Sequence, residues 1–195
     1  MQDENTQNSK ISNEPEVVVQ TTKTKNEPVT PDPEYTAFLV EQGAKTLNLC
    51  FQCGTCTGSC TSGRFTAFRT RKLVRRAQLG LKDQILPSED LWACTTCYTC
   101  YERCPRGVEI PDIIFILRNL AVQAGYMGEA HKKVASLLVK TGHMVPLNEE
   151  YQAVREKLGL KPKPDTVLVN ENAKADFDKL VQLCKFDKLI GMNSK

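Results

Sequence analysis

Apolar residues along the chain recur at helical spacing, and no stretch alternates convincingly at the period of a strand. The first stripe opens with Asp32 as a cap and Pro33 at the first helical position, continues through Tyr35, Phe38 and Leu39, and stops at Gly43. The second, Leu73, Val74, Ala77 and Leu81, lies in an Arg- and Lys-rich segment from Thr66 to Gly80 and predicts a basic amphipathic helix. Pro87-Ser88-Glu89-Asp90 predicts a further helix start that carries Leu91 and Trp92. Behind Pro111-Asp112, the residues Ile113, Leu117, Leu120, Ala121 and Ala124 form one apolar stripe ahead of Gly125. Two more helices are predicted, one through Ala130, Val134, Leu137 and Leu138 to Gly142, and one from Asn148 to Leu158, closed by Gly159.

The pattern predicts an all-α fold in three parts. Residues 1–31 hold no aromatic residue before Tyr35 and only one apolar run, Val17-Val18-Val19, so they predict an N-terminal arm that is flexible or held by a partner. Residues 32–160 carry the helical stripes and form the domain. Residues 161–195 begin with Lys161-Pro162-Lys163-Pro164, a linker signature. A C-terminal tail helix follows, with Phe177, Leu180, Val181 and Cys184 on one side and Cys184 expected as a small core residue.

Length and composition narrow the class. A chain of 195 residues with 41% apolar content supports one compact domain with extensions. No charged leader followed by an apolar stretch opens the sequence, and no apolar run approaches the roughly 20 residues that cross a bilayer. A cytoplasmic protein, with no membrane span, is the expectation. Nine cysteines in such a protein point to metal ligation rather than to disulfides.

Cys50, Cys53, Cys56 and Cys60 are spaced C-x2-C-x2-C-x3-C, and Cys94, Cys97, Cys100 and Cys104 repeat that spacing, followed by Pro105. This is the run of the two-cluster bacterial ferredoxins, in which the fourth cysteine of each run ligates the other cluster. Two 4Fe-4S clusters are therefore expected, one held by Cys50, Cys53, Cys56 and Cys104 and the other by Cys94, Cys97, Cys100 and Cys60. Zinc is the competing ligand. Structural zinc sites usually join two C-x2-C units across a longer loop, whereas here four thiols fall within eleven residues.

Gly54 and Gly58 are expected to let backbone N–H groups approach the sulfurs, and Phe51, Trp92, Tyr98 and Tyr101 to keep water away. The formal charge of +3 suggests at first a nucleic-acid partner. Eight ligating thiolates and two cores of about +2 each would bring the loaded chain to about −1, so the basic excess mostly offsets the sites. Arg64, Arg69, Arg71, Lys72, Arg75 and Arg76 are then candidates for a solvated face or for docking an acidic partner. His131 and His143 carry no ligand role.

The segments Cys50-Phe-Gln-Cys-Gly-Thr-Cys-Thr-Gly-Ser-Cys60, Arg69-Thr-Arg-Lys72, Trp92-Ala-Cys-Thr-Thr-Cys-Tyr-Thr-Cys-Tyr-Glu-Arg-Cys-Pro105, Asp112-Ile-Ile and Thr141-Gly-His-Met-Val-Pro146 resemble one family. It is the C-type iron–sulfur subunit of the soluble CoB–CoM heterodisulfide reductase of methane-forming archaea. The wider resemblance is to α-helical ferredoxin domains, found also in succinate dehydrogenase and fumarate reductase. Thr61 departs from the family pattern, which often has proline after the fourth cysteine.

The resemblance implies a relay between two partners, a flavin-containing subunit on one side and, on the other, the subunit that reduces the CoM-S-S-CoB heterodisulfide. The complex can include a hydrogenase or formate dehydrogenase. The resemblance implies no nucleic-acid and no membrane partner. No Gly-rich dinucleotide fingerprint and no nucleophile–base arrangement marks a catalytic site in the chain itself. Two other readings stand beside it, an iron–sulfur subunit of a different oxidoreductase of the succinate dehydrogenase or fumarate reductase kind, and a cluster-stapled structural or nucleic-acid-binding module.

Overall fold

A computed structural model describes residues 30–191, so most of the expected N-terminal arm lies outside the described residues. Within them the chain forms helices α1 (Pro33–Glu41), α2 (Thr55–Gly58), α3 (Ser62–Phe65), α4 (Thr70–Gln78), α5 (Lys82–Ile85), α6 (Thr99–Glu102) and α7 (Ile110–Gln123). They are followed by α8 (Glu129–Thr141), α9 (Glu149–Lys157), α10 (Glu171–Leu183) and α11 (Phe186–Leu189), and no strand occurs among the described residues. The all-α fold class holds.

The cysteine-bearing region is a repeat written twice. A 3-10 turn, Leu47–Leu49 or Glu89–Leu91, leads into each motif; each motif contains a one-turn helix, α2 or α6; and each is followed by a longer helix, α4 or α7. The two longer helices bury the same positions: Thr70, Leu73, Val74 and Ala77 in α4 match Ile110, Ile113, Ile114 and Leu117 in α7, the first, fourth, fifth and eighth residues of each. That i, i+3, i+4, i+7 stripe is the face a helix must turn inward, and each fully buried aliphatic side chain contributes about 1.5–3 kcal/mol. Leu39, Leu47, Phe68, Ile85, Leu91 and Val108 complete the core, and Cys56 lies in it.

Helix α1 is locked onto the end of α4. Asp32 caps α1 through Oδ1, which accepts from Tyr35 N at 3.0 Å, and its own N–H donates to Leu79 O at 2.9 Å. Thr36 Oγ1 reaches Ala77 O and Gln78 O, both at 3.3 Å.

Three sequence expectations are corrected. The basic helix begins at Thr70, not Thr66, because α3 ends at Phe65 and Arg69 turns its guanidinium back onto the carbonyls of Gly63, Thr66 and Phe68. The start at Ser88 yields only a 3-10 turn, which leaves room to enter the second motif. Cys184 is exposed at the end of α10 and is no core residue. Helices α8, α9 and α10 contain no buried residue, and among the described residues no helix is long and apolar enough to cross a membrane.

Candidate metal centres

Both motifs use one backbone device. Gln52 and Thr96, two residues after the first cysteine of each motif, have φ of 66° and 52°; Gly54 and Tyr98, directly after the second cysteine, have φ of 89° and 60°. These left-handed residues reverse the chain around its thiols and deliver it into α2 and α6, for which Gly54 and Tyr98 are the N-caps. Glycine takes this conformation freely, whereas a tyrosine is strained by about 1–2 kcal/mol. The Tyr98 hydroxyl donates to Asp112 Oδ1 at 3.2 Å, which partly offsets that strain.

The eight motif cysteines line two separate clefts, each drawing on both motifs. Cys50, Cys53, Cys56 and Cys104 surround one, with Arg71, Pro105 and Ile110. Cys60, Cys94, Cys97 and Cys100 surround the other, with Phe68, Thr70, Pro111 and Ile114. Cys53 and Cys97 are exposed, while Cys56 is buried. The charge of Cys56, in the first cleft, reaches Cys100 in the second.

Donors surround the sulfurs. Gln52 Nε2 lies 3.4 Å from Cys50 Sγ, Gly63 N 3.3 Å from Cys60 Sγ, Thr96 N 3.4 Å from Cys94 Sγ and Val108 N 3.3 Å from Cys104 Sγ. Hydroxyls lie beside the exposed thiols: the Cys53 thiol donates to Thr55 Oγ1 at 3.3 Å and the Cys97 thiol to Thr99 Oγ1 at 3.4 Å, Thr61 Oγ1 is 3.5 Å from Cys97 Sγ, and each hydroxyl can donate in turn once its thiol ionises. The exposed thiols are accordingly acidified, Cys97 to about 7 by the Thr99 hydroxyl first and then that of Thr61, and Cys53 below its ordinary value by Thr55. Burial works the other way. It raises Cys56 and Cys94, and it pushes Cys100 up to about 12, with the charges of Cys94 and Cys56 adding to the effect.

This donor set fits iron–sulfur clusters. Buried thiols crowded around a cleft resist ionisation until a cationic core balances them, and N–H and O–H donors aimed at sulfur are what ligating thiolates require. Thr70 Oγ1, buried in the wall of the second cleft, has no partner among the described residues, which leaves an acceptor to be supplied from the cleft. A single zinc ion would instead draw its sulfurs to within about 3.8 Å of one another by tetrahedral ligation at 2.3 Å.

Each motif is anchored at its first cysteine by the ninth residue of the helix that follows it. Gln78 Nε2 donates to Leu47 O at 3.2 Å and Cys50 O at 2.8 Å. Arg118 donates from Nε to Leu91 O at 2.7 Å and from Nη2 to Cys94 O at 2.6 Å, with the Trp92 ring 5.6 Å away. The His131 ring packs against Trp92 at a tilt of 48°, with the ring centroids 4.6 Å apart. Sequence reading missed both anchors, because no spacing rule links a helix side chain to a carbonyl in a preceding loop. Only the repeat, once aligned by buried positions, could have suggested them.

Other expectations are revised. Gly54 serves through its backbone conformation, and the N–H of Gly58 is used within its helix, bonding to Gly54 O. Phe51, 61% exposed, and Tyr101, close to 40%, line neither thiol cleft; Tyr98, close to 40% exposed, borders the second, and Trp92 is half-buried. The basic segment lines a third and larger cleft, where Arg71, Lys72, Arg75 and Arg76 face Cys50, Phe51 and Gln52.

Comparison with known proteins places this geometry. The 4Fe-4S dicluster domain profile matches residues 46–108. The chain is 53% identical over 151 residues to the C-type iron-sulfur subunit of the CoB–CoM heterodisulfide reductase of Methanopyrus kandleri, covering 77% of this chain and 79% of that protein. It is 52% identical over 155 residues to the second C-type iron-sulfur subunit of the same enzyme in Methanocaldococcus jannaschii, with coverages of 80% and 83%. Against the C-type subunit of the H2:CoB-CoM heterodisulfide,ferredoxin reductase of Methanothermobacter marburgensis, identity is 46% over 162 residues, with coverages of 83% and 88%.

Proposed function

The chain belongs to the family of C-type iron–sulfur subunits of CoB–CoM heterodisulfide reductase, and from that premise we propose that it is the electron relay between two other subunits of such an enzyme. Electrons arrive from the flavin-containing subunit. They leave to the subunit that reduces the CoM-S-S-CoB heterodisulfide, and a hydrogenase or formate dehydrogenase is a further source. The chain itself transforms no substrate and works in the cytoplasm. Residues 32–160 form the relay domain, residues 1–31 the arm and residues 161–195 the linker and tail helix.

Cys50, Cys53, Cys56 and Cys104 hold one 4Fe-4S cluster, called centre 1, and Cys94, Cys97, Cys100 and Cys60 hold the other, centre 2. When bound, the clusters supply reversible one-electron storage at potentials set by their surroundings. The protein orients them by exchanging one cysteine between the motifs, which ties α2 to α6. It tunes them with the N–H and O–H donors on Cys50, Cys53, Cys60, Cys94, Cys97 and Cys104.

The observation that carries this reading is the sorting of eight thiols into two clefts, each drawing on both motifs, with Cys56 buried and Cys53 and Cys97 exposed. A relay needs an entry, an exit and a short dry step between; a structural staple needs none of them. The large basic cleft adjoins the Cys50 side, where an acidic protein can dock. Anaerobic purification should yield about eight irons per chain and two reversibly reducible centres by EPR. Cys60→Ser should alter the same signal as Cys94→Ser, and Cys104→Ser the same signal as Cys50→Ser. Pairing of Cys60 with Cys50 instead would sink the crossed assignment.

A further inference from the structure

The repeat makes the two centres directly comparable, because each structural position around one has a counterpart around the other. Three pairs of counterparts differ in one sense, while a fourth, the exposed Arg71 at the cleft of centre 1 against Pro111 at that of centre 2, differs in the other. The anchor of the first motif is the neutral Gln78; that of the second is the cation Arg118, held half-buried against Trp92 with Nη2 on Cys94 O at 2.6 Å. The first residue of the following helix is Ile110 at the cleft of centre 1 and Thr70 at that of centre 2, where its buried hydroxyl has no protein partner among the described residues. The residue after the fourth cysteine is Pro105 beside centre 1 and Thr61 beside centre 2, with the Thr61 hydroxyl 3.5 Å from Cys97 Sγ.

Adding an electron to either site adds negative charge. A half-buried cation and additional O–H donors stabilise that charge, whereas a glutamine, an isoleucine and a proline do so less or not at all. We propose that centre 2 is the higher-potential site of the pair, and that Arg118 is the positioning residue chiefly responsible. This rests on the ligand assignment above. The cations of the large cleft lie near centre 1, Arg71 closest, but Arg71, Lys72 and Arg75 are exposed to solvent, where water and salt screen them over about 10 Å. Arg118, half-buried, is screened less. An electron entering at the Cys50 side therefore runs downhill and rests beside Cys94.

The test is an EPR-monitored redox titration of the anaerobically purified, full-length protein, with iron content measured alongside. The C60S and C104S substitutions assign each signal to a centre. Wild-type protein should show the higher midpoint at centre 2, and raising the ionic strength should lower centre 1 more than centre 2. Arg118→Gln should shift centre 2 downward and leave centre 1 in place. Arg118→Lys keeps the charge and shortens the fork, so centre 2 should stay close to wild type; this variant decides the matter if the glutamine variant loses iron. A higher midpoint at centre 1, an unmoved centre 2 in Arg118→Gln, or an equal drop in Arg118→Lys would overturn the inference. Fewer than about eight irons in the wild type would instead overturn the ligand assignment beneath it.

Discussion

Gly80 sits where no side chain fits. Its φ is +64°, and a Cβ on it would collide with the Asp32 carbonyl at the start of α1. Gly80→Ala should therefore cost about 2 kcal/mol or more, from the left-handed conformation and the forced separation of α1 from α4 together. Thermal unfolding of the loaded protein followed by circular dichroism checks it, and a midpoint within a degree of wild type would show that the contact yields. Cys184 offers the opposite case. Exposed at the end of α10 and in neither thiol-lined cleft, it should accept serine with no change in iron content and a stability change within about 0.5 kcal/mol. Residues of this kind are half legible beforehand: a glycine after a helix predicts a left-handed cap, but not that another helix start presses against it.

At the scale of elements, the stability of the centres rests on α4 and α7. Leu73 in α4 and Leu117 in α7 are 1% and 0% exposed. Truncation of either to alanine should destabilise the protein by about 2–5 kcal/mol. It should also loosen Gln78 or Arg118, so iron release to a chelator should quicken alongside the loss of stability. Leu183 on α10 is 70% exposed, and Leu183→Ala should leave both measurements near wild type in the isolated chain. Helix spacing located α4 and α7 but misplaced the start of one. The stripe Leu73, Val74, Ala77 carries no record that Arg69 folds back onto three carbonyls and so breaks the helix before Thr70.

Over the whole molecule, charge is distributed unevenly although its sum is small. With two clusters bound the net charge falls to about −1, yet Arg71, Lys72 and Arg75 have no carboxylate within ion-pair reach among the described residues, and only Arg76 does, with Asp90 Oδ2 at 3.6 Å. Around the exposed Phe51 this makes a positive mouth beside Cys50. The double variant Lys72→Glu, Arg75→Glu should slow reduction of the loaded chain by an acidic flavodoxin hydroquinone by about tenfold at low salt, within the range that electrostatic steering spans. Reduction by the methyl viologen radical cation should not slow. Equal effects on both donors, or none, would mean that electrons enter elsewhere.

The sequence alone determined the helical class, the two-cluster motif and the family, because ligand spacing and helical periodicity are local and each is read within a few residues. The pairing of Cys60 with the second motif's cleft and Cys104 with the first was legible only by analogy with two-cluster ferredoxins. What tertiary structure decided was the inequality of the two sites: that Arg118 reaches the Cys94 carbonyl, that Thr70 faces one cleft and Ile110 the other, and that the basic helix borders Cys50. These are contacts between residues tens of positions apart. They exist only once α4 and α7 have packed, since packing fixes which polar side chains are left to face the thiols.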